Sequence, residues 1–428
     1  MKAVPNPYTT GSSVSGPDHY GRKELTETLL RGGSRTYWLT GGRRVGKTSL
    51  LRQLEWLALR RGRAVPLCWD LDGCTTPSAL GVRLGEAVAD ALPRLEPLGI
   101  PSTLPADADA LAAITQLRRL LLRKGRELLL LCDDADAFVD LARTEPEFMQ
   151  RLQREFSGAG LRTVVVSGGA GLLLHEVCAG WSSRPFLSGF EMLETLGVLD
   201  AASARALILR SQSPRGQRVQ ASAAVVAAVR DATGCHPYLL QKLCARLWTD
   251  AGSLRMPDAA DLLIDGGLSG YLEHDWRTLT GTEQTALLAV GERVRAAVTS
   301  LQADLGSDPA ALRTTLAGLE YKGWLRQLSG SYALGNAFLE RWLASERNRL
   351  SRLPASRPSA DTVRAASGDS GLAALAEQLN NRRARLAELE LVRAKDFDLT
   401  PPQVLAEIAQ LETEIAALRS LVVRRASA

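Results

Sequence analysis

Residues 41–48 read Gly-Gly-Arg-Arg-Val-Gly-Lys-Thr, and their flanks leave this run few conformations. Before it, Thr36-Tyr37-Trp38-Leu39-Thr40 is a short β-like stretch. After it, Leu50, Leu51, Leu54 and Leu57 recur at helical spacing between Thr48 and Arg60. Strand, glycine-rich loop and helix in that order form a cradle for phosphate. Gly41, Gly42 and Gly46 keep side chains away from the backbone N–H groups, and the helix adds the positive end of its dipole. Lys47 places a point charge on the last phosphates, and Thr48 offers a hydroxyl to magnesium. The run Gly41, Gly42, Arg43, Arg44, Val45, Gly46, Lys47, Thr48 and Ser49 is therefore expected to bind ATP or ADP with Mg2+. A chance glycine-rich turn would require neither flank.

The chain also supplies the sheet that such a loop needs. A second strand is expected from Ala64 to Leu71, with helices at about 77–92 and 107–124. Leu128–Cys132 is an unbroken apolar run ending in Asp133-Asp134, as a strand covered on both faces looks. A long helix pattern then runs to about Phe156, Leu161–Ser167 is another buried strand, and Phe186–Phe190 is expected as the last. Strands alternating with helices imply an α/β fold, a P-loop NTPase with a parallel sheet. Strand signals stop after about Asp200. Three helical segments over 200–250, including Pro237–Trp248, read as a helical lid. Residues 256–345 read as a winged helix: helical patterns at 280–291 and 309–322, then Trp324–Leu328, the turn Ser329-Gly330-Ser331 and Tyr332–Leu334 as a hairpin wing.

The expected boundaries are a lead-in over 1–20, the NTPase domain over 21–195, the lid over 196–255 and the winged helix over 256–348. A linker rich in Ser, Pro, Ala and Arg follows over 349–370, and a helical hairpin over 371–428. In that hairpin Leu372, Leu375, Leu379, Leu386 and Leu389 keep heptad spacing, broken at Arg382. Val404, Ile408, Leu411, Ile415, Leu418 and Val422 form an unbroken second seam. Thr400, Pro401 and Gln403 between them fit N-cap, first turn and capping box. The seams are those of a coiled coil, and they need a partner.

Bulk composition narrows the function classes. At 428 residues the chain is long enough for roughly two to four domains, and 45% hydrophobic residues is an ordinary globular level. A net charge of +5 without a basic arm permits nucleic-acid contact without arguing for it. No apolar run reaches bilayer length, and Met1–Gly16 is polar with no signal-peptide core, so a cytoplasmic protein is expected. Six cysteines without Cys-x-x-Cys spacing and four scattered histidines make a zinc site unexpected.

Two further elements bear on chemistry. Asp133 ends a strand expected to neighbour the P-loop, where a carboxylate can hold the magnesium shell, and Asp134 would orient or deprotonate the attacking water. The same cluster, with Asp136, can instead cap the next helix. Ser167 ends the following strand, where it can touch the terminal phosphate or the attacking water; a plain strand-ending turn is an equal reading.

Taken in order, these motifs resemble a family. Tyr20-Gly21-Arg22-Lys23-Glu24-Leu25 resembles the Gly-Arg motif that precedes the P-loop in AAA-type ATPases, and Asn6-Pro7-Tyr8 is similar to the segment often found before it. Residues 231–241, Asp-Ala-Thr-Gly-Cys-His-Pro-Tyr-Leu-Leu-Gln, resemble the lid motif of the signal-transduction ATPases with numerous domains (STAND) and of origin-recognition-like ATPases. The resemblance covers about 5–345. It implies that Tyr20, Gly21 and Arg22 flank the adenine, and that His236 and Pro237 reach the nucleotide from the lid and report its state. Read from the residues alone, His236 is a core histidine beside a proline turn. AAA enzymes commonly carry Glu where this chain has Asp134, a departure that suits a slow switch better than fast hydrolysis. Arg184 reads either as a finger to a neighbouring subunit or as a surface arginine. The tail resembles helical-hairpin modules of bacterial conflict and signalling systems; its plain reading is a dimerising coiled coil.

Three functions follow as expectations. The first is a STAND-type switch that binds ATP and hydrolyses it slowly, self-associates in the ATP state, and recruits an effector or signalling protein through residues 371–428. The second is a DNA-handling ATPase of origin-recognition or transposition-regulator type, disfavoured because the candidate recognition helix offers only Arg313 and Lys322 as bases. The third is a non-enzymatic scaffold with nucleotide as a structural ligand.

Overall fold

A computed structural model describes residues 4–31, 35–100, 109–168, 186, 190, 192–213, 218–293, 295–306 and 309–350. The chain divides into two compact units, Met1–Leu172 with Gly189–Arg357 and Leu173–Ser188 with Pro358–Ala428. All that follows concerns the first. Arg184, nearly all of the expected linker and the whole expected helical hairpin lie outside the described residues.

Five parallel strands form the central sheet: β1 (Thr36–Gly41), β2 (Ala64–Asp70), β3 (Glu127–Asp133), β4 (Leu161–Ser167) and β5 (Met192–Leu196). Their spatial order is β2-β3-β4-β1-β5. Thr36 to Thr40 pair in register with Thr163 to Ser167, and Leu128 to Cys132 with Leu161 to Val165. The sheet is covered on both faces, which is why its strands read as continuous apolar runs. Leu39, Leu129, Leu131, Val164 and Val166 meet Leu50, Leu51 and Leu54 of α2 (Lys47–Arg61) in one cluster. Trp38 instead meets Phe138 and Phe190, alternate strand residues pointing to opposite faces. Each fully buried leucine contributes about 2 kcal/mol, so these two layers dominate the stability of the sheet.

Helices α1 (Lys23–Leu30), α3 (Pro77–Leu95), α4 (Ala110–Arg123), α5 (Ala137–Thr144) and α6 (Pro146–Phe156) complete this part. Thr76 caps α3 and Asp109 caps α4, each accepting a backbone N–H of the first turn. The long helix expected to reach Phe156 is two helices, because Pro146 has no N–H to continue the first. The last strand of the sheet among the described residues is Met192–Leu196, and most of the strand expected at 186–190 lies outside the described residues. β3 is not the direct neighbour of β1, since β4 lies between them.

Beyond the sheet come α7 (Ala201–Ile208), α8 (Ala223–Thr233) and α9 (Pro237–Leu247). Next are α10 (Gly266–Arg277), α11 (Gly281–Gly291), β6 (Ala296–Ala297), α12 (Val298–Leu305), α13 (Pro309–Tyr321), β7 (Leu325–Leu328), β8 (Ser331–Leu334) and α14 (Ala337–Leu350). The short strands form an antiparallel sheet in the order β6-β8-β7, with the turn Ser329-Gly330 at the hairpin tip. Thr280 and Glu283 form a reciprocal capping box at the start of α11. The expected division at 255 does not divide the core. One apolar cluster runs from Val225 and Leu240 to Trp276, Trp324 and Trp342, the last two with rings 6.4 and 5.9 Å from that of Trp276. The junction is tight: a Cβ at Gly335 would stand 2.1 Å from the Gly323 carbonyl oxygen, and one at Gly234 2.2 Å from that of Gly335. The turn that opens α9 is thereby seated on the end of the hairpin.

Candidate functional site

Glycine appears in the loop between β1 and α2 for two distinct reasons. Gly46 holds φ at +100°, which a side chain disfavours, and so turns the chain into α2. Gly41 is required by packing: a Cβ there would stand 3.0 Å from the Leu196 carbonyl oxygen and from Val45. Lys47 is buried and its Nζ donates to the carbonyl oxygens of Gly41 at 2.8 Å and Gly42 at 3.0 Å. Burial lowers its pKa, while Asp134, Asp136, Asp133 and Asp275 favour the charge.

Asp133 and Asp134 stand at the end of β3, facing this loop across β4. The Asp134 N–H donates to Asp133 Oδ1 at 3.1 Å, and Asp134 adopts φ +51°, a left-handed turn that aspartate tolerates. Burial raises the pKa of Asp133, offset by the Thr48 hydroxyl, the Asp134 N–H and Lys47. Burial and the Asp133 charge raise that of Asp134. Thr48 and Asp133 are thus neighbours, and the local excess of carboxylate is what a divalent cation relieves. Oxygen donors of this kind suit Mg2+, which takes only one or two protein ligands beside phosphate and water. Among the described residues no group of three or more His, Cys, Asp or Glu is placed to hold a metal by itself.

Asp136 does not cap α5; its Oδ2 accepts the Gly168 N–H at 2.6 Å and ties down the end of β4. Ser167 pairs with Thr40 in the sheet and is only 1% exposed. It is not among the described residues that line the cavity beside the loop.

That cavity measures about 420 Å3, within the range of about 300–1,000 Å3 for small-molecule sites. Arg43–Ser49 and Asp134 line it on the side of the loop. Its other end is formed by Tyr20, Leu199, Leu207, Pro237, Tyr238 and Gln241. The lead-in closes it: Thr9–Val14 lie along the rim, the Val14 N–H donates to Ser49 Oγ at 3.2 Å, and the Thr9 N–H to Gln241 Oε1 at 3.3 Å. Tyr8 anchors this segment through its hydroxyl to the Ile208 carbonyl at 2.5 Å. The expected lead-in over 1–20 is therefore part of the site. Asn6-Pro7-Tyr8 was the one sign of it in the sequence.

Of the residues expected at the adenine, Tyr20 lines the cavity, and its buried hydroxyl has no partner among the described residues. Gly21 approaches Ser203 instead, at φ +80°. Arg22 also lines the cavity and bridges the loop to the end of β5, donating to the carbonyls of Val45 at 2.7 Å and Gly197 at 3.0 Å. Pro237 reaches the cavity, but His236 is not among its lining residues. His236 is buried as the N-cap residue of α9; its Nε2 lies 3.2 Å from the Tyr271 hydroxyl, and its Nδ1 has no partner among the described residues. Burial, with Arg22 and Arg44, pushes its pKa down to about 4, so the ring is neutral at physiological pH. Tyr238 and Tyr271 were missed in the sequence. The Arg44 guanidinium stacks 4.2 Å from the centroid of Tyr238 and 5.6 Å from that of Tyr271, a cation–π pairing of lid and loop.

No protein-family model and no curated protein matches the sequence. Solved structures do. The Walker-type ATPase paby2304 of Pyrococcus abyssi matches 78% of this chain and 99% of its own with a TM-score of 0.56 at 15% identity. Cdc6p from Pyrobaculum aerophilum matches 82% of this chain and 99% of its own with a TM-score of 0.40 at 14% identity. The ORC2 protein of Aeropyrum pernix, solved in ADPNP–ADP complexes, matches 79% and 98% with a TM-score of 0.42 at 12% identity. Identities this low speak to architecture alone, and the first similarity is the informative one. The chain has the fold of a Walker-type P-loop ATPase.

Proposed function

We propose that this chain is an ATP- and ADP-dependent switch: it binds ATP with Mg2+, hydrolyses it slowly, and uses the difference between the two nucleotides to change the relation of loop and lid. The supporting observation is the convergence of Lys47, Thr48 and Asp134 on a cavity also lined by Pro237, Tyr238 and Gln241 of the lid, with Asp133 beside Thr48. Lys47 would release the Gly41 and Gly42 carbonyls and turn to the terminal phosphates. Thr48 and Asp133 would hold Mg2+, which when bound neutralises phosphate charge. Asp134 would orient the attacking water, its shorter arm suiting slow turnover. Tyr20, Leu199 and Leu207 would receive the nucleoside. A ligand shifts such an equilibrium only by its differential affinity for the two states. Here the difference is the charge of one phosphate among Arg43, Arg44 and Lys47.

Output through residues 371–428, to an effector or a second copy, completes this reading. A DNA-handling ATPase is the second reading. It is weakened at the helix expected to read DNA: of its two exposed bases, Arg313 and Lys322, the second is paired with Glu283 at 2.6 Å. The experiment is to identify the nucleotide that co-purifies with the full chain, then to measure turnover and oligomeric state in ADP and in ATP. A chain that carries and binds no nucleotide refutes the proposal; one that binds but never hydrolyses is the scaffold.

A further inference from the structure

Two residues of the phosphate loop take left-handed backbone, Gly46 at φ +100° and Arg44 at φ +58°. Glycine does so freely, whereas for arginine the conformation is disfavoured and needs support from outside the loop. The support is aromatic. The Arg44 guanidinium lies 4.2 Å from the ring centroid of Tyr238 and 5.6 Å from that of Tyr271. The two rings meet edge-on, with centroids 5.5 Å apart. The Tyr271 hydroxyl lies 3.2 Å from His236 Nε2, which ties this ring to the turn that opens α9. Arg22 grips the carbonyl of the next loop residue, Val45, at 2.7 Å. The loop is therefore pinned twice, by Arg22 ahead of α1 and by the lid rings at Arg44. Helix α10 carries the link onward: it holds Tyr271 against the loop and, further along, Trp276 against Trp324 and Trp342.

We propose that Arg44 is a positioning residue: stacked on Tyr238 and Tyr271, it fastens the lid to the phosphate loop and holds the loop in the form that accepts phosphate. This rests on the nucleotide-binding reading above and deepens it by naming the side chain that couples loop to lid. Arg44 and Tyr238 both line the cavity, so a nucleotide seated there bears on both sides of the stack. A guanidinium suits this task better than an ammonium, because it is planar, stacks on aromatic faces and is more weakly hydrated. Such an attraction is modest at exposed sites and grows where water is excluded. Arg44 is exposed and Tyr271 is buried, so the stack stands between these limits. A loop left unfastened populates its accepting form less, and the apparent affinity for a phosphate ligand falls by that fraction. The coupling is reciprocal: a stack that tightens the nucleotide is itself tightened when the nucleotide binds, and the lid closes further.

The test is calorimetric titration of the full chain with Mg2+-ATP and Mg2+-ADP, alongside hydrogen exchange over 234–241. The proteins are wild type, Arg44→Gln, Tyr238→Leu, Tyr238→Phe, and Arg44→Gln combined with Tyr238→Leu. Arg44→Gln and Tyr238→Leu should each weaken both nucleotides about fivefold, and the double variant no further. Tyr238→Phe keeps the ring and should rescue most of the loss. Arg44→Gln should also speed exchange in the lid turn, although the substitution lies in the loop. Losses that add in the double variant overturn the inference, because each side chain then touches the nucleotide separately. So does a Tyr238→Phe protein as weak as Tyr238→Leu, an unchanged affinity in Arg44→Gln, or lid exchange indifferent to Arg44→Gln; nucleotide binding stands in each of these cases. A wild type that binds neither nucleotide overturns both readings together.

Discussion

Replacing Asp275 by Asn should stabilise the nucleotide-free protein, and only at neutral and alkaline pH. Burial raises the Asp275 pKa from 3.8 to about 7, while Arg43, Lys47, Arg44 and the Tyr271 hydroxyl pull it down. A carboxyl whose pKa is raised on folding binds its proton more tightly in the native state. Its contribution to stability is therefore complete below the unfolded value and is lost as pH rises through the folded one. A shift of about three units corresponds to about 4 kcal/mol as an upper bound. Asp275 is partly accessible, so screening leaves about 2 kcal/mol. Asparagine does not titrate. The difference between variant and wild type should be near zero at pH 4 and widen to about 2 kcal/mol by pH 8, a rise of a few degrees in Tm. Differential scanning fluorimetry of both proteins without nucleotide, from pH 4 to 8.5 at constant salt, measures that difference, and titrations common to both proteins cancel. A gap that does not change with pH, or a wild type that is the more stable at pH 8, would mean that the attraction of the nearby cations outweighs burial, and the reasoning would fail.

Other expectations are simpler to read. Lys47→Ala should weaken Mg2+-ATP binding by about 3 kcal/mol or more in calorimetry, because it removes a charge-assisted contact at a buried site; unchanged affinity would refute the phosphate assignment. Asp134→Asn should bind ATP as before and lose turnover in a phosphate-release assay, whereas Asp133→Asn should lose the magnesium dependence of binding. Gly335→Ala should destabilise the protein by about 3 kcal/mol in urea unfolding, because its Cβ would stand 2.1 Å from the Gly323 carbonyl oxygen. Deleting 365–428 should leave nucleotide affinity unchanged and abolish partner capture; loss of affinity would place the tail within the ATPase fold.

Much of the fold was legible because its signals are local. The apolar runs at Leu128–Cys132 and Leu161–Ser167 announce strands buried on both faces, and the leucines after Thr48 announce the helix behind the loop. Pro146 was equally legible as a helix boundary and was passed over because the apolar periodicity continues through it. Met192–Leu196 leaves a weaker β signal in the sequence than the phenylalanines just before it, Phe186 and Phe190.

The sequence by itself determined the chemistry of the phosphate end, since backbone access, a lysine and a hydroxyl must be adjacent along one loop to act on one polyphosphate. It also determined that acids would lie at the end of a buried strand. Only the tertiary structure decided which distant groups meet there. It put β4 between β1 and β3, folded Thr9–Val14 along the cavity rim, set His236 against Tyr271, and brought Tyr238 and Tyr271 to Arg44. None of these contacts leaves a periodic trace, because each joins segments far apart in the chain and spends only one or two side chains. On a helix such as α10, a tyrosine that meets a loop arginine and a tyrosine that only fills the core are written with the same letter.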